Sequence, residues 1–89
     1  MFDNIVNGCM DYITEGIECE GNKNYYIFNT EVIEDSLEAE GIDNITVSEV
    51  LNTIVNNMKL LGYDFYDGEF FPCNGNFKSL PACCVAFVK

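Results

Sequence analysis

Apolar residues recur along this chain with two different periods, and those periods divide it into helical and extended stretches. Val47, Val50, Leu51, Ile54, Val55, Met58 and Leu61 follow a 3.6-residue repeat, the most regular in the sequence. The capping box Thr46-Val47-Ser48-Glu49 opens this helix, and Gly62 is placed to end it. Ile5, Val6, Cys9, Met10, Ile13 and Ile17 predict an earlier helix from about residue 4 to about residue 16, with Asp3 as N-cap and Phe2 stapling the first turn. Gly21-Asn22-Lys23-Asn24 reads as a turn and Tyr25-Tyr26-Ile27-Phe28 as a short strand. Thr30 can cap a second helix that ends at Gly41, whose missing Cβ suits a left-handed position.

The remainder reads as extended chain. Tyr63-Asp64-Phe65-Tyr66 and Glu69-Phe70-Phe71-Pro72 flank Asp67-Gly68, a pair able to supply the two positive φ angles of a type I′ hairpin turn. Pro72 cannot donate to a ladder, so it belongs at a sheet edge or where pairing stops. Packing of this aromatic cluster on the third helix is the expected role of Tyr63, Phe65, Tyr66, Phe70 and Phe71. Ala82 to Val88 lacks polar alternation, which predicts a strand buried on both faces. The order is helix, strand, helix, helix, hairpin and one further strand, an α+β fold in a single domain over residues 1–89. That order resembles a winged helix-turn-helix domain.

A local resemblance points the same way. Gly41-Ile42-Asp43-Asn44-Ile45-Thr46-Val47-Ser48-Glu49-Val50-Leu51-Asn52 resembles the turn and recognition helix of lac-repressor-type regulators, in which a Gly-apolar turn leads into a Thr-Val-Ser helix start. The resemblance implies a helix-turn-helix. Where that family presents a basic residue to the phosphates this chain has Glu49, and a DNA-reading face needs Lys or Arg.

Charge changes the picture. Residues 1–49 carry twelve carboxylates against the single Lys23, a net −11, whereas residues 50–89 balance three carboxylates with three lysines. The 89 residues contain no arginine and no histidine but eleven asparagines. A coding bias that enriches Asn, Ile, Tyr and Phe would enrich lysine too, so the shortage of lysine reads as selected. Such a field repels nucleic acid and anionic membranes and attracts basic protein surfaces. Solubility alone is the plainer explanation of acidity, and placement decides between the two.

On the second helix Glu31, Glu34, Asp35 and Glu38 fall at i, i+3, i+4 and i+7, one continuous face with no lysine interspersed. Asp11, Glu15 and Glu18 form a similar row on the first helix, largely off its apolar stripe. Two adjacent rows would make a patch wider than the Debye length of about 8 Å. These seven residues are the candidate partner-binding site.

Other chemistry finds little footing. Neither Glu18 to Asn24 nor Asp43 to Glu49 has the ligand spacing of a calcium loop. The five cysteines, Cys9, Cys19, Cys73, Cys83 and Cys84, contain no C-x-x-C pair, and no histidine completes a zinc site, so no metal or cofactor is expected. Their odd count, with no basic segment and apolar run marking export, predicts a reducing, cytoplasmic setting with free thiols. Without imidazole or guanidinium groups, nucleophilic and phosphoryl-transfer catalysis lack their usual machinery, so the chain reads as not an enzyme.

In size, charge placement and lack of enzymatic groups the chain resembles phage-encoded DNA-mimic proteins, including anti-CRISPR and anti-restriction inhibitors. The resemblance is one of type and implies a bacterial host cell and a partner with a basic, nucleic-acid-binding surface, with no direct nucleic acid and no membrane. A second reading is a winged-helix regulator or interaction domain that works through the third helix and the hairpin, including as a homodimer. A housekeeping domain with incidental acidity is the third.

Overall fold

A computed structural model of the protein describes residues 2–21 and 24–89. Three helices, α1 (Phe2–Glu20), α2 (Glu31–Ala39) and α3 (Val47–Leu60), join five strands: β1 (Tyr25–Asn29), β2 (Asp64–Tyr66), β3 (Phe70–Cys73), β4 (Asn76–Ser79) and β5 (Cys84–Val88). The fold is α+β, and its element order loosely matches a winged helix.

Local signals account for the helix ends. Thr46 Oγ1 accepts from the Glu49 N–H at 3.2 Å, and the Glu49 carboxylate accepts from the Thr46 N–H at 3.0 Å, completing the capping box of α3. Such a cap contributes about 1 kcal/mol. At the other end Gly62 has φ +94° and the Tyr63 N–H reaches back to the Met58 carbonyl. Gly41, φ +66°, closes α2 the same way, with the Ile42 N–H on the Leu37 carbonyl. Both are Schellman endings, and only a left-handed residue permits them.

Thr30 occupies the N-cap of α2 without capping it. Asn29 Oδ1 instead accepts from the Glu31 N–H at 2.9 Å, while Thr30 gives both its backbone N–H (2.9 Å) and its hydroxyl (3.0 Å) to the Cys83 carbonyl. The start of α2 is thereby tied to the chain entering β5. Helix α1 exceeds the expected 4–16 at both ends, so Asp3 lies in its first turn rather than at its cap. It passes straight through Gly16, where a Cβ would stand 2.6 Å from Cε1 of the Tyr26 ring, and stops at Gly21, φ +79°. The expected turn at Gly21-Asn22-Lys23-Asn24 falls partly outside the described residues.

The strands pair differently from the expected hairpin. β5 lies at the centre of an antiparallel sheet of order β1-β5-β2, with Ile27 opposite Ala86 and Phe65 opposite Phe87. β2 therefore does not pair with β3. The hairpin is β3-β4, closed by Asn74 (φ 51°) and Gly75 (φ 82°), with Cys73 opposite Asn76. Two positive φ angles define the type I′ turn, and neither Asp67 nor Gly68 has one. The bond from the Leu80 N–H to the Glu69 carbonyl marks that pair as hydrogen-bonded. Alternation then makes Pro72–Phe77 a non-hydrogen-bonded pair, so the proline nitrogen points away from β4 and costs the ladder nothing.

β5 is covered on both sides, as its composition requires. On one side Val85 and Phe87, with Tyr26 and Phe28 of β1, join Ile5, Cys9, Ile13, Ile33, Val50, Ile54 and Met58 in the helical core. On the other, Ala86 meets Phe71 and Cys73 of the hairpin, flanked by Tyr25, Ile27, Tyr66 and Val88. The molecule is thus a stack of helices, three-stranded sheet and hairpin. The aromatic cluster is divided between these layers: Tyr63 and Phe65 pack with the helices, Phe71 and Tyr66 pack across the sheet, and Phe70 is exposed.

Two glycine pairs test this arrangement. Gly16→Ala should destabilise by about 1–3 kcal/mol by overpacking against the buried Tyr26 ring, whereas Gly8→Ala, with nothing within 4 Å, should stabilise by about 0.5–1 kcal/mol. Gly75→Ala should cost about 1–2 kcal/mol and Gly68→Ala less than about 0.5 kcal/mol. Urea unfolding of the four variants measures all of these, and the reverse order at 68 and 75 would show that the hairpin is misplaced.

Candidate acidic interaction surface

The two acidic rows are built by the helical period acting against the core. On α2, Ile33 and Leu37 are buried while Glu31, Glu34, Asp35 and Glu38 are all exposed, on the opposite side of the helix. On α1, Ile5, Val6, Cys9 and Ile13 are buried and Asp11, Glu15 and Glu18 are exposed, again on the far side. Helix α1 packs against both α2 and α3. The rows accordingly sit on neighbouring helices, each turned away from its own buried side.

Within each row, neighbours three and four apart lie roughly 5–6 Å apart at Cβ. Among the described residues none of the seven carboxylates forms an ion pair. Of the described lysines, the Lys78 ammonium lies 5.3 Å from the centre of the Tyr25 ring, Lys59 is in the last turn of α3, where a cation suits the helix dipole, and Lys89 lies 5.3 Å from the centre of the Tyr63 ring, in the cleft that Glu18 also lines. Among the described residues the α2 row is thus not neutralised by any lysine, and only the Glu18 end of the α1 row has one near it.

The buried join between the two helices includes Cys9. Burial pushes its thiol up from the ordinary 9.0, and the neighbouring Ser36 hydroxyl offsets part of that rise. Ser36 gives its own proton to the Val32 carbonyl at 2.9 Å. Burial likewise raises Tyr26, helped by Tyr12 and Glu20, and raises Cys84, helped by Cys83 and by Glu31 at the start of the α2 row.

Among the described residues no other constellation gathers at a site. All five cysteines are free, and among the described residues no three His, Cys, Asp or Glu side chains stand close enough to hold a metal ion. No described helix is long and apolar enough to cross a membrane. A cleft of about 250 Å³ lies between Thr14, Ile17, Glu18, Leu61, Tyr63 and Lys89, joining one end of the α1 row to the far ends of α3 and β5. The exposed rings of Phe70 and Phe77 escape the sequence reading. Asn74-Gly75 was the signal that could have found them, since a turn there puts Phe70, Pro72 and Phe77 on one face. Comparison with protein-family models, curated proteins and solved structures gives no match.

The raised thiol has a consequence in alkali. The folded chain holds the Cys9 proton more tightly than the unfolded chain, so stability is fully present below 9.0 and falls as pH rises above it. Tyr26 adds a second decline above its ordinary 10.0. Denaturant midpoints should be level from about pH 7 to 8.5 and drop by about pH 10.5, less so in Cys9→Ala relative to its own neutral value. A level profile would show that Cys9 and Tyr26 are not buried as described.

Proposed function

We propose that the protein is a non-enzymatic inhibitor or modulator that binds a basic, nucleic-acid-binding protein surface through the carboxylates of α1 and α2. The observation that carries this reading is the α2 row. The four carboxylates span about 10 Å of helix axis in steps of about 4.5, 1.5 and 4.5 Å, a mean of about 3.5 Å per charge along the axis. One strand of a duplex presents a phosphate about every 3.4 Å. A channel of lysines and arginines shaped for a phosphate backbone would meet a similar line of charge here. An anti-CRISPR or anti-restriction DNA mimic in a bacterial cell fits this description.

The helix also bears a cost that solubility would not require. Glu31/Asp35 and Glu34/Glu38 are like-charge pairs, each destabilising by about 0.2–0.5 kcal/mol, and lysines at alternate places would have given equal polarity without repulsion. The regulator reading joins α3 to the stretch 63–72, of which β2 packs beside α3 while Phe70–Cys73 pair with β4 across the sheet. On α3 the exposed Glu49 stands where a DNA-reading helix needs a cation, which weighs against direct DNA contact.

Replacing Glu31, Glu34, Asp35 and Glu38 together by Gln should leave the melting temperature nearly unchanged, because the repulsion removed is offset by the lost attraction of Glu31 and Glu34 to the N-terminal end of the helix dipole. Binding to a partner captured from bacterial lysate should fall at least tenfold, and the steep loss of wild-type association rate with rising salt should largely disappear. A variant that binds as tightly with the same salt slope would reduce the row to a solvated face. Gel-shift titration with duplex DNA at about 50 mM salt should show no complex; a shifted band would favour the regulator instead.

A further inference from the structure

The outward face of the β3-β4 hairpin takes no part in the acidic surface. Strand alternation and register give its composition: Phe70 and Pro72 on β3, with Phe77 and Ser79 opposite them on β4. It bears no charge. Phe70 is 57% exposed and Phe77 75% exposed, and the two rings border an open cleft of about 450 Å³. The inward face, by contrast, is spent on the fold, with Phe71 and Cys73 buried against the sheet.

Charge placement identifies what can cover the outward face. Two chains of net charge −11 repel wherever their helical layers meet. The hairpin face is separated from the helices by the three-stranded sheet, which at about 10 Å per packed layer is about 20 Å. That is more than twice the Debye length of about 8 Å at physiological salt. Two copies meeting hairpin to hairpin therefore hold their carboxylate rows at opposite ends of the pair.

We propose that two copies of this chain associate about a two-fold axis through the hairpin faces, the Phe77 ring of each seating in the cleft between Phe70 and Phe77 of the other. A two-fold contact needs only one self-complementary patch. The pairing is face to face rather than edge to edge, because Pro72 leaves the outer edge of β3 without its central donor. The size of the face sets the strength. A fully covered aromatic ring buries about 150–250 Å², so two partly exposed rings and their rim give several hundred Å² per copy, against about 800 Å² per partner in a standard stable interface. The dimer is a weak, reversible one, because the face is smaller than that of a standard stable interface. It would display two acidic layers facing opposite ways, and it stands whether or not those layers bind a basic partner.

Analytical ultracentrifugation from about 1 to 500 µM tests this. The weight-average mass should climb from the 10.0 kDa monomer toward twice that value. Raising salt should strengthen association, because repulsion is screened while apolar burial is not. Phe77→Ser and Phe70→Ser, both at exposed positions, should each weaken it at least tenfold with melting temperature nearly unchanged, and Glu34→Gln should leave it intact. A monomer at every concentration, a dimer indifferent to both Phe substitutions, or one that salt dissociates would overturn the proposal. So would a monomer whose Phe variants lose a partner captured from lysate, which would assign the face to that partner.

Discussion

Everything in this fold depends on β5 being apolar on both faces. Val85 and Phe87 are sealed by the helices and Ala86 by the hairpin, all three at 5% exposure or less. A strand of that kind cannot lie at a surface, so it must be central in its sheet and the sheet must be covered twice. Ala86 matters for its size, since it leaves room on that side of the sheet for the buried Phe71 ring, which packs 5.2 Å from the Tyr25 ring. Burying Phe28, Phe71 and Phe87 fully contributes about 1.5–3 kcal/mol each. Cys83, at φ 62°, turns the chain into β5 and offers its carbonyl to Thr30, so the same strand anchors the start of α2.

That anchor explains how the acidic helix exists at all. Nine residues with four unrelieved carboxylates on one side would not form a stable helix alone. Ile33 and Leu37 pin it to the core, Asn29 and Thr30 fix its beginning, and the Gly41 ending fixes its close. Packing energy from the core thus holds the carboxylates in line against their own repulsion. The layer order then decides where the charge can act: the helical face carries the two carboxylate rows, and the outward face of the hairpin is built from Phe70, Pro72, Phe77 and Ser79, with Asp67 and Glu69 at its margin.

The parts legible in the sequence are those set by nearby residues. Thr46 and Glu49, Gly41 and Gly62, and the outward direction of both carboxylate rows follow from spacing alone. The two-sided burial of β5 was legible too, but not what would cover it. The hairpin was misplaced because Asp67-Gly68 and Asn74-Gly75 carry the same local turn chemistry. Pairing of β2 with β5, some twenty residues distant, decides between them, and no local signal reports it. Gly16 was unreadable for a similar reason, since its need for no side chain comes from Tyr26 on another element. The exposed Phe70 and Phe77 follow only once the hairpin is placed.

Zero-length carboxylate-to-amine cross-linking of the captured complex, read by mass spectrometry with and without added duplex DNA, tests the central claim most directly. The account predicts links from Glu31, Glu34, Asp35 and Glu38, together with Asp11, Glu15 and Glu18, to lysines of the partner, and their loss as duplex DNA competes for the same surface. Links confined to Asp64, Asp67 and Glu69 near the hairpin, or links from the helices that survive excess DNA, would contradict it.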